Sequence, residues 1–132
     1  DGFEDPQLND LAGGAQNVNN VYFSTHFSSL SDNKKVADFV ASYQAFTKAA
    51  GKEEPASVFA ALAYDAAYML FAAIDAAEST DPEAIRDSLE SLPAFSGVTG
   101  DISFDALHNA VKPAFLIELN NGVEVNATIV NP

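Results

Sequence analysis

The residue types that most often do chemistry are few in this sequence and lie far apart. His26 and His108 are the only histidines; they have no cysteine partner and no histidine four residues away, which argues against a metal site. A scan for a nucleophile elbow, a phosphate-binding glycine loop and a dinucleotide fingerprint finds none of them. We therefore expect no enzyme, no cofactor and no metal ion, and structural or surface roles for both histidines.

The segment from Asp101 to Asp105 resembles the start of a calcium-binding loop. Ala106, however, stands where that loop needs glycine, and Lys112 stands where it needs a bidentate glutamate. We therefore reject a calcium site. The preceding residues 97–100, Gly-Val-Thr-Gly, are predicted to form a turn before a strand.

Two acidic residues remain as candidates for polar contacts. Asp65 lies in the middle of an otherwise apolar helix, where it could make a polar contact between packed elements. The alternative is that it faces solvent or caps a neighbouring element, and both interpretations stay open. Asp1 precedes Gly2 and Phe3, and a carboxylate on a turn beside an aromatic ring can pair with an ammonium group at the edge of a cleft. The alternative for this segment is a disordered terminus.

Composition restricts the class of protein. With 132 residues, of which 48% are hydrophobic, the chain can bury one real core. Its 19 acidic and 6 basic residues give a net charge of −13, which repels phosphate backbones and therefore predicts no nucleic-acid partner. The absence of cysteine excludes disulfides and fits an exported or a cytosolic protein equally well. The polar start of the sequence contains no signal peptide, so we expect a mature or truncated chain.

Hydrophobic periodicity and capping signals predict the elements that position these residues. The predicted helices are a short one after Asp5-Pro6, one behind the capping candidates Ser31 and Asp32, a long alanine-rich one at 57–78, and one from 81 to 92. The predicted strands are 21–25, 102–104, 114–119 and 123–129, the last two joined by an Asn121-Gly122 hairpin turn. Because Asp65 and Asp75 interrupt the long helix, we do not expect it to cross a membrane. The order of elements predicts an α/β fold with a C-terminal β-hairpin.

Several motifs then combine into a family resemblance. They are the segments 1–3, 21–27, 60–67, 79–89, 97–105, 112–113 and 121–122. In this order and spacing they resemble the C-terminal part of the branched-chain amino-acid-binding proteins of bacterial ABC importers, the leucine/isoleucine/valine-binding family. The match runs nearly end to end along the chain.

The resemblance implies part of a two-lobed clamp of the type I periplasmic-binding-protein fold, with a parallel sheet flanked by helices in each lobe. It implies that residues 1–28 are a piece of the second lobe. Residues 29–112 would be the C-terminal part of the first lobe, and residues 113–132 would be closing strands near the hinge.

The resemblance also implies the function of a solute-binding component of an ABC importer, which captures free leucine, isoleucine, valine or a related amino acid by lobe closure and delivers it to a permease. Such proteins work outside the cytoplasmic membrane, in the periplasm or as lipoproteins on a Gram-positive cell surface. Asp1 stands where the family's acid holds the ligand's ammonium group, with Phe3 beside it. The alternative is a ligand-sensing clamp domain of a receptor or regulator.

The resemblance covers only the C-terminal part of such a clamp, and the family's site for the ligand's carboxylate lies upstream of it. We therefore expect the 132-residue chain alone to bind amino acids weakly or not at all. Exposed sheet edges are expected to drive its self-association.

Overall fold

The structure is a computed structural model, and it describes residues 7–132. Its helices are α1 Leu8–Leu11, α2 Lys34–Ala49, α3 Val58–Ala77 and α4 Pro82–Ser91, with a 3₁₀ turn at Ala15–Asn17. Its strands are β1 Val21–Thr25, β2 Phe95–Gly97, β3 Gly100–Phe104, β4 Ala110–Val111, β5 Ala114–Asn120 and β6 Val123–Val130.

The first unit of the fold, here called the sheet unit, consists of α1, β1, β5 and β6. Its strands have the order β1-β5-β6, and Phe23 of β1 lies opposite Ile117 of β5. Asn121 and Gly122 both have positive φ, 49° and 69°, which is the geometry of a tight hairpin turn and confirms the predicted hairpin. The buried core of this unit comprises Val18, Phe23, Phe115, Ile117 and Leu119.

The second unit, here called the helical unit, consists of α2, α3, α4 and the small sheet β2-β3-β4. Phe27 and Phe39 meet edge to face with ring centroids 5.8 Å apart. They belong to a core that also contains Val36, Val58, Ala61 and Val98. The two cores share no residue, so the described chain packs as two units joined by segments 26–33 and 112–113.

Local capping explains where the long helices begin. Ser57 and Asp81 accept hydrogen bonds from the third residue after them, at 3.3 and 3.2 Å, and the capping at Asp81 is as the sequence predicted for α4. Helix α2 differs: Asn33, and not Ser31 or Asp32, accepts from the backbone N–H of residue 35 at 2.9 Å. Ser31, Asp32 and Asn33 are all residue types that cap helices, and the last of them is the one that caps α2.

Strand direction differs in one respect from the parallel sheet that the resemblance implies. Each strand pair within residues 7–132 is antiparallel, β1 with β5, β5 with β6, β2 with β3 and β3 with β4. A parallel pair requires a crossover that returns to the same sheet, whereas the three helices after β1 lead to a second sheet. The mixed α/β class with a C-terminal hairpin is as predicted.

Helix α3 is unusually apolar and only partly covered. Among the residues that the structure describes, it is the one helix long and apolar enough to cross a membrane, a property that core helices of soluble proteins share. Its exposed large side chains are Phe59, Tyr64, Tyr68, Leu70 and Phe71. Asp65, by contrast, is only 2% exposed because a β-hairpin covers it.

Candidate ligand-binding cleft

The two ligand-binding residues nominated from the sequence, Asp1 and Phe3, lie outside the described residues. The structure therefore neither places them nor brings them together. A candidate site must be sought between the two units, because ligands of two-part proteins bind where the parts face each other.

A cavity of about 510 Å³ opens between the sheet unit and the helical unit. The sheet unit contributes Leu8, Asn9, Phe23, Leu119, Gly122 and Glu124 to its lining. The facing lining consists of Phe27, Ser29, Tyr43, Glu54, Pro55, Ala56 and Ser57. Its volume lies in the range of small-molecule sites, and its walls mix aromatic rings with a few polar groups, as such sites do.

The charge of the described cavity lining is negative. Glu54 and Glu124 contribute carboxylates, and no lysine or arginine is among the lining residues of this part of the chain. Glu124 accepts a hydrogen bond of 3.1 Å from the hydroxyl of Ser28, a buried residue on the first connecting segment. This environment favours a cationic group over an anionic one.

The hydroxyl and amide groups of the lining can donate hydrogen bonds to an anionic group such as a carboxylate. Ser29, Tyr43 and Ser57 carry hydroxyls, and Asn9 carries an amide that donates to the Gly122 carbonyl at 3.2 Å. Hydroxyls donate to carboxylates without adding a charge. The cavity therefore offers neutral donors as well as carboxylate acceptors.

The most tightly bonded polar group of the helical unit is Asp65. Its carboxylate accepts from the backbone N–H of Val98 at 2.7 Å, and from the backbone N–H and the hydroxyl of Thr99 at 2.8 and 2.6 Å. Val98 and Thr99 form the predicted turn between β2 and β3. Asp65 thus anchors the middle of α3 to that turn by a polar contact between packed elements, and it does not face solvent.

Lys112 extends this network to the connection between the units. Its ammonium donates to the Thr99 hydroxyl, which in turn donates to Asp65. Burial lowers the pKa of Lys112 below its ordinary value, and attraction to Asp65 partly opposes that shift. A chain of polar contacts therefore runs from α3 to the segment that leads into β5.

A second cavity, of about 320 Å³, lies within the helical unit beside this network. Lys35 donates to the backbone carbonyl and the hydroxyl of Ser96 there, at 2.6 and 2.8 Å. Tyr64 and Tyr68 stack along one wall with centroids 4.6 Å apart. Their hydrogen bond, with burial, raises the pKa of Tyr64. Because its lining comes from the helical unit alone, this cavity lies away from the face between the two units.

The remaining candidate residues have structural contacts. His26 Nδ1 lies 3.3 Å from the Pro113 carbonyl oxygen, and His108 Nε2 lies 3.2 Å from a carboxylate oxygen of Glu90. Asp105 accepts from the backbone N–H groups of residues 107 and 109, so it closes its own loop. Within residues 7–132 no cluster of histidine and acidic side chains could hold a metal ion.

The sequence did not identify several residues that organise this region, namely Ser28, Thr99, Glu124 and the network role of Lys112. Their partners lie between 13 and 96 residues away, so no local pattern identifies them. The Gly-Val-Thr-Gly segment was the nearest signal, since it marked the turn that bonds to Asp65.

Comparison with known proteins identifies the family. A family model described as periplasmic binding protein matches residues 2–124. The chain belongs to the periplasmic binding protein family. No match was found among curated protein sequences.

Solved structures of this family resemble the chain over its whole length. The branched-chain amino acid transporter substrate-binding protein LivJ from Streptococcus pneumoniae, in complex with isoleucine, is 36% identical with a TM-score of 0.82. The leucine-binding protein LivK from Thermotoga maritima is 30% identical with a TM-score of 0.77. An ABC-transporter solute-binding protein from R. palustris, in complex with benzoate, is 25% identical with a TM-score of 0.69.

Each of these three matches includes 100% of this chain, but only 36%, 36% and 35%, respectively, of the matched protein's chain. It therefore spans about a third of the periplasmic binding proteins that it matches. The members matched are solute-binding proteins and not enzymes. Because the matched members of the periplasmic binding protein family bind solutes, the cavity between this chain's sheet unit and helical unit is a candidate solute site.

Proposed function

We propose that the chain forms parts of both lobes of a solute-binding clamp that captures leucine, isoleucine, valine or a related amino acid for an ABC importer. The observation that carries the proposal is the cavity of about 510 Å³ between two separately packed units. The proposal is also supported by the 36% identity between this chain and a LivJ protein whose structure was solved in complex with isoleucine.

The units suggest how the chain divides between the lobes. We assign residues 1–28 to the second lobe, residues 29–112 to the first lobe and residues 113–132 to the closing strands near the hinge. The antiparallel pairing of β5 with β1 is consistent with this division, because it joins the closing strands to the sheet of the second lobe.

The amino acid's ammonium group is assigned to Asp1, with Phe3 beside it, on the strength of the resemblance of residues 1–3. Glu54 and Glu124 give the described cavity a negative potential of its own. A carboxylate suits this role because a charge-assisted hydrogen bond in a closing cleft is stronger than a neutral one. Solute contacts that form only in the closed state then shift the equilibrium towards closure.

The relatives do not fix one solute for this chain. LivJ was solved with isoleucine, whereas the R. palustris protein was solved with benzoate, which has a carboxylate but no ammonium group. The two negative side chains of the cavity favour a solute that carries an ammonium. We therefore place aliphatic amino acids before aromatic acids.

A thermal-shift panel tests the solute class in the complete gene product, including any residues that precede or follow these 132. Leucine, isoleucine or valine at 100 times its dissociation constant should stabilise the protein by about 2.7 kcal/mol, and benzoate should not. Ala56→Trp, which fills the cavity from the α3 side, should remove the shift. Stabilisation by benzoate alone would indicate that the solute is an aromatic acid and not an aliphatic amino acid. A full thermal shift in Ala56→Trp would show that the solute does not bind in this cavity.

The proposed setting is outside the cytoplasmic membrane, in the periplasm or on a Gram-positive cell surface, with an ABC permease as the partner. This follows from the transport proteins that the chain resembles. The second candidate, a ligand-sensing clamp of a receptor or regulator, uses the same fold and cleft. A permease and an ATPase encoded beside the gene favour transport, whereas a signalling domain in the same polypeptide favours sensing.

Self-association is proposed for the 132-residue chain on its own. Strand β6 is the outer strand of its sheet in the described structure, and its exposed apolar residues are Val123, Val125, Ile129 and Val130. Such an edge can pair with another copy. Sedimentation should show concentration-dependent oligomers, and a strictly monomeric profile would contradict the proposal.

A further inference from the structure

Two connecting segments join the sheet unit to the helical unit, and they contact each other. The first contains His26, and the second contains Lys112 and Pro113. His26 Nδ1 lies 3.3 Å from the Pro113 carbonyl oxygen. The relative position of the two units therefore depends on how these segments are held.

The helical unit holds the second segment at two points. The Lys112 ammonium donates to the Thr99 hydroxyl, which is itself bonded to the buried Asp65 carboxylate at 2.6 Å. The Pro113 ring lies directly over Gly100, where an added Cβ would be 2.4 Å from the ring. Both contacts involve the turn between β2 and β3 or the residue after it.

The Asp65 end of this chain of contacts is on α3, the helix that follows the cleft-lining residues 54–57. Helix α3 begins at Val58, directly after the cleft residue Ser57. The Lys112 end leads directly into β5, whose residue Leu119 lies in the opposite wall. One hydrogen-bonded path thus links the helix that follows the lining residues of the helical unit to the segment that precedes β5 of the sheet unit.

Lys112 is not needed to satisfy Asp65, which already accepts three hydrogen bonds from Val98 and Thr99. Its burial instead carries a cost, since desolvation lowers the pKa of the ammonium. A half-buried ammonium on a connecting segment is therefore better explained by what it positions than by the stability that it adds.

We propose that Lys112 is a positioning residue: by tying the second connecting segment to Thr99 and Asp65, it restricts the angle between the two units and so sets the affinity for the solute. The proposal rests on the clamp function proposed above. Hinges concentrate the dihedral changes of closure in a few residues at the ends of elements, and a fixed Lys112 confines those changes to Pro113 and beyond. Without the tie, the open ensemble widens and the fraction competent for closure falls.

The test compares Lys112→Met with Lys35→Met in the complete gene product. Lys35 also donates to the β2–β3 hairpin, through Ser96, but it lies on α2 and not on a connecting segment. Both variants remove one ammonium from the same hairpin. Lys35 is exposed and Lys112 is half-buried, and of the two only Lys112 lies on a connection between the units.

Two measurements separate positioning from folding. Lys48 is exposed on the helical unit and Asn126 is exposed on the sheet unit, and these 132 residues contain no native cysteine. Spin labels on cysteines introduced at these two positions report the distance between the units by electron paramagnetic resonance. Calorimetry reports the affinity for the amino acid. Thermal unfolding confirms that each variant is folded.

For Lys112→Met we expect a broader distance distribution without solute, an affinity lower by about tenfold and an unchanged melting temperature. Lys35→Met should match the wild type in distance and affinity, and Lys112→Arg, which keeps a charged donor, should recover most of both. If Lys112→Met does not fold, Lys112→Gln, which keeps a neutral donor, should show a smaller change of the same sign.

Wild-type distances and affinity in Lys112→Met, or equal changes in Lys35→Met, would overturn the positioning role. If the wild type binds no amino acid, the clamp proposal fails, and the distance distribution alone decides whether Lys112 restricts the units.

Discussion

Gly97 lies directly against Asp65: a Cβ added to Gly97 would be 2.5 Å from the Asp65 carboxylate. No side chain fits between the β2–β3 hairpin and helix α3 at this point. The close approach lets the carboxylate reach the backbone N–H groups of Val98 and Thr99.

The first prediction concerns this contact. Gly97→Ala should lower the free energy of unfolding by about 1–3 kcal/mol, because the tight contact with Asp65 must open. Gly97 is not among the glycines with positive φ, so backbone strain does not contribute to this cost. In an Asp65→Ala background the same substitution should cost much less, since the clashing carboxylate is gone. Chemical denaturation of the four proteins of this double-mutant cycle measures the difference. An equal cost in both backgrounds would show that the contact is not the cause.

The second prediction concerns the Asp65 carboxylate itself. Asp65→Asn places an amide where two oxygens accept hydrogen bonds, so at least one buried donor loses its partner, at a cost of about 1–3 kcal/mol. Asp75→Asn makes the same change at an exposed position of the same helix and should stay within about 0.5 kcal/mol of the wild type. Similar losses in both would contradict a special role for Asp65.

The third prediction concerns the pH dependence contributed by Lys112. Its lowered pKa means that the folded protein binds this proton less tightly than the unfolded chain does. Relative to Lys112→Gln, the stability of the wild type should therefore rise as the pH increases from the lowered pKa to the ordinary value of 10.5. Denaturation curves across that window measure this difference, and a fall with increasing pH would mean that the pKa of Lys112 is raised.

The fourth prediction concerns the loop that Asp105 closes. Hydrogen bonds from the backbone and side chain of Asn109 and from the backbone of Leu107 lower the pKa of Asp105. Its contribution to stability should be complete above its ordinary value of 3.8 and should disappear as the pH falls through the lower, folded value. The melting temperature of Asp105→Asn should approach that of the wild type on acidification. A gap that is constant with pH would contradict this.

Local signals in the sequence were sufficient for most of the elements. Asn121-Gly122 predicts a hairpin because both residues tolerate positive φ, and Asp81 predicts a helix start because its side chain accepts a backbone hydrogen bond nearby. Strand β2 was not predicted, since three residues carry too little periodicity and its pairing with β3 depends on tertiary contacts.

The candidate site was much less predictable, because its contacts join distant parts of the chain. Ser28 and Glu124 are 96 residues apart in sequence. Asp65 was noticed as an acid on an apolar helix, but its partners at the β2–β3 turn follow only from the packing of hairpin on helix. The cleft likewise exists because two units pack separately, and no short motif encodes that.

Calorimetric titration of isoleucine into the complete gene product, beside its Asp1→Ala and Asp10→Ala variants, decides whether this chain is part of an amino-acid-binding clamp. The two substitutions remove the same charge, and Asp10 is an exposed residue of the short helix α1. We expect saturable binding with one site for the wild type and for Asp10→Ala. For Asp1→Ala we expect a loss of at least about a hundredfold in affinity, because an unpaired ammonium in a closed cleft is costly. No saturable binding of isoleucine, leucine or valine by the wild type would contradict the claim that this chain is part of an amino-acid-binding clamp.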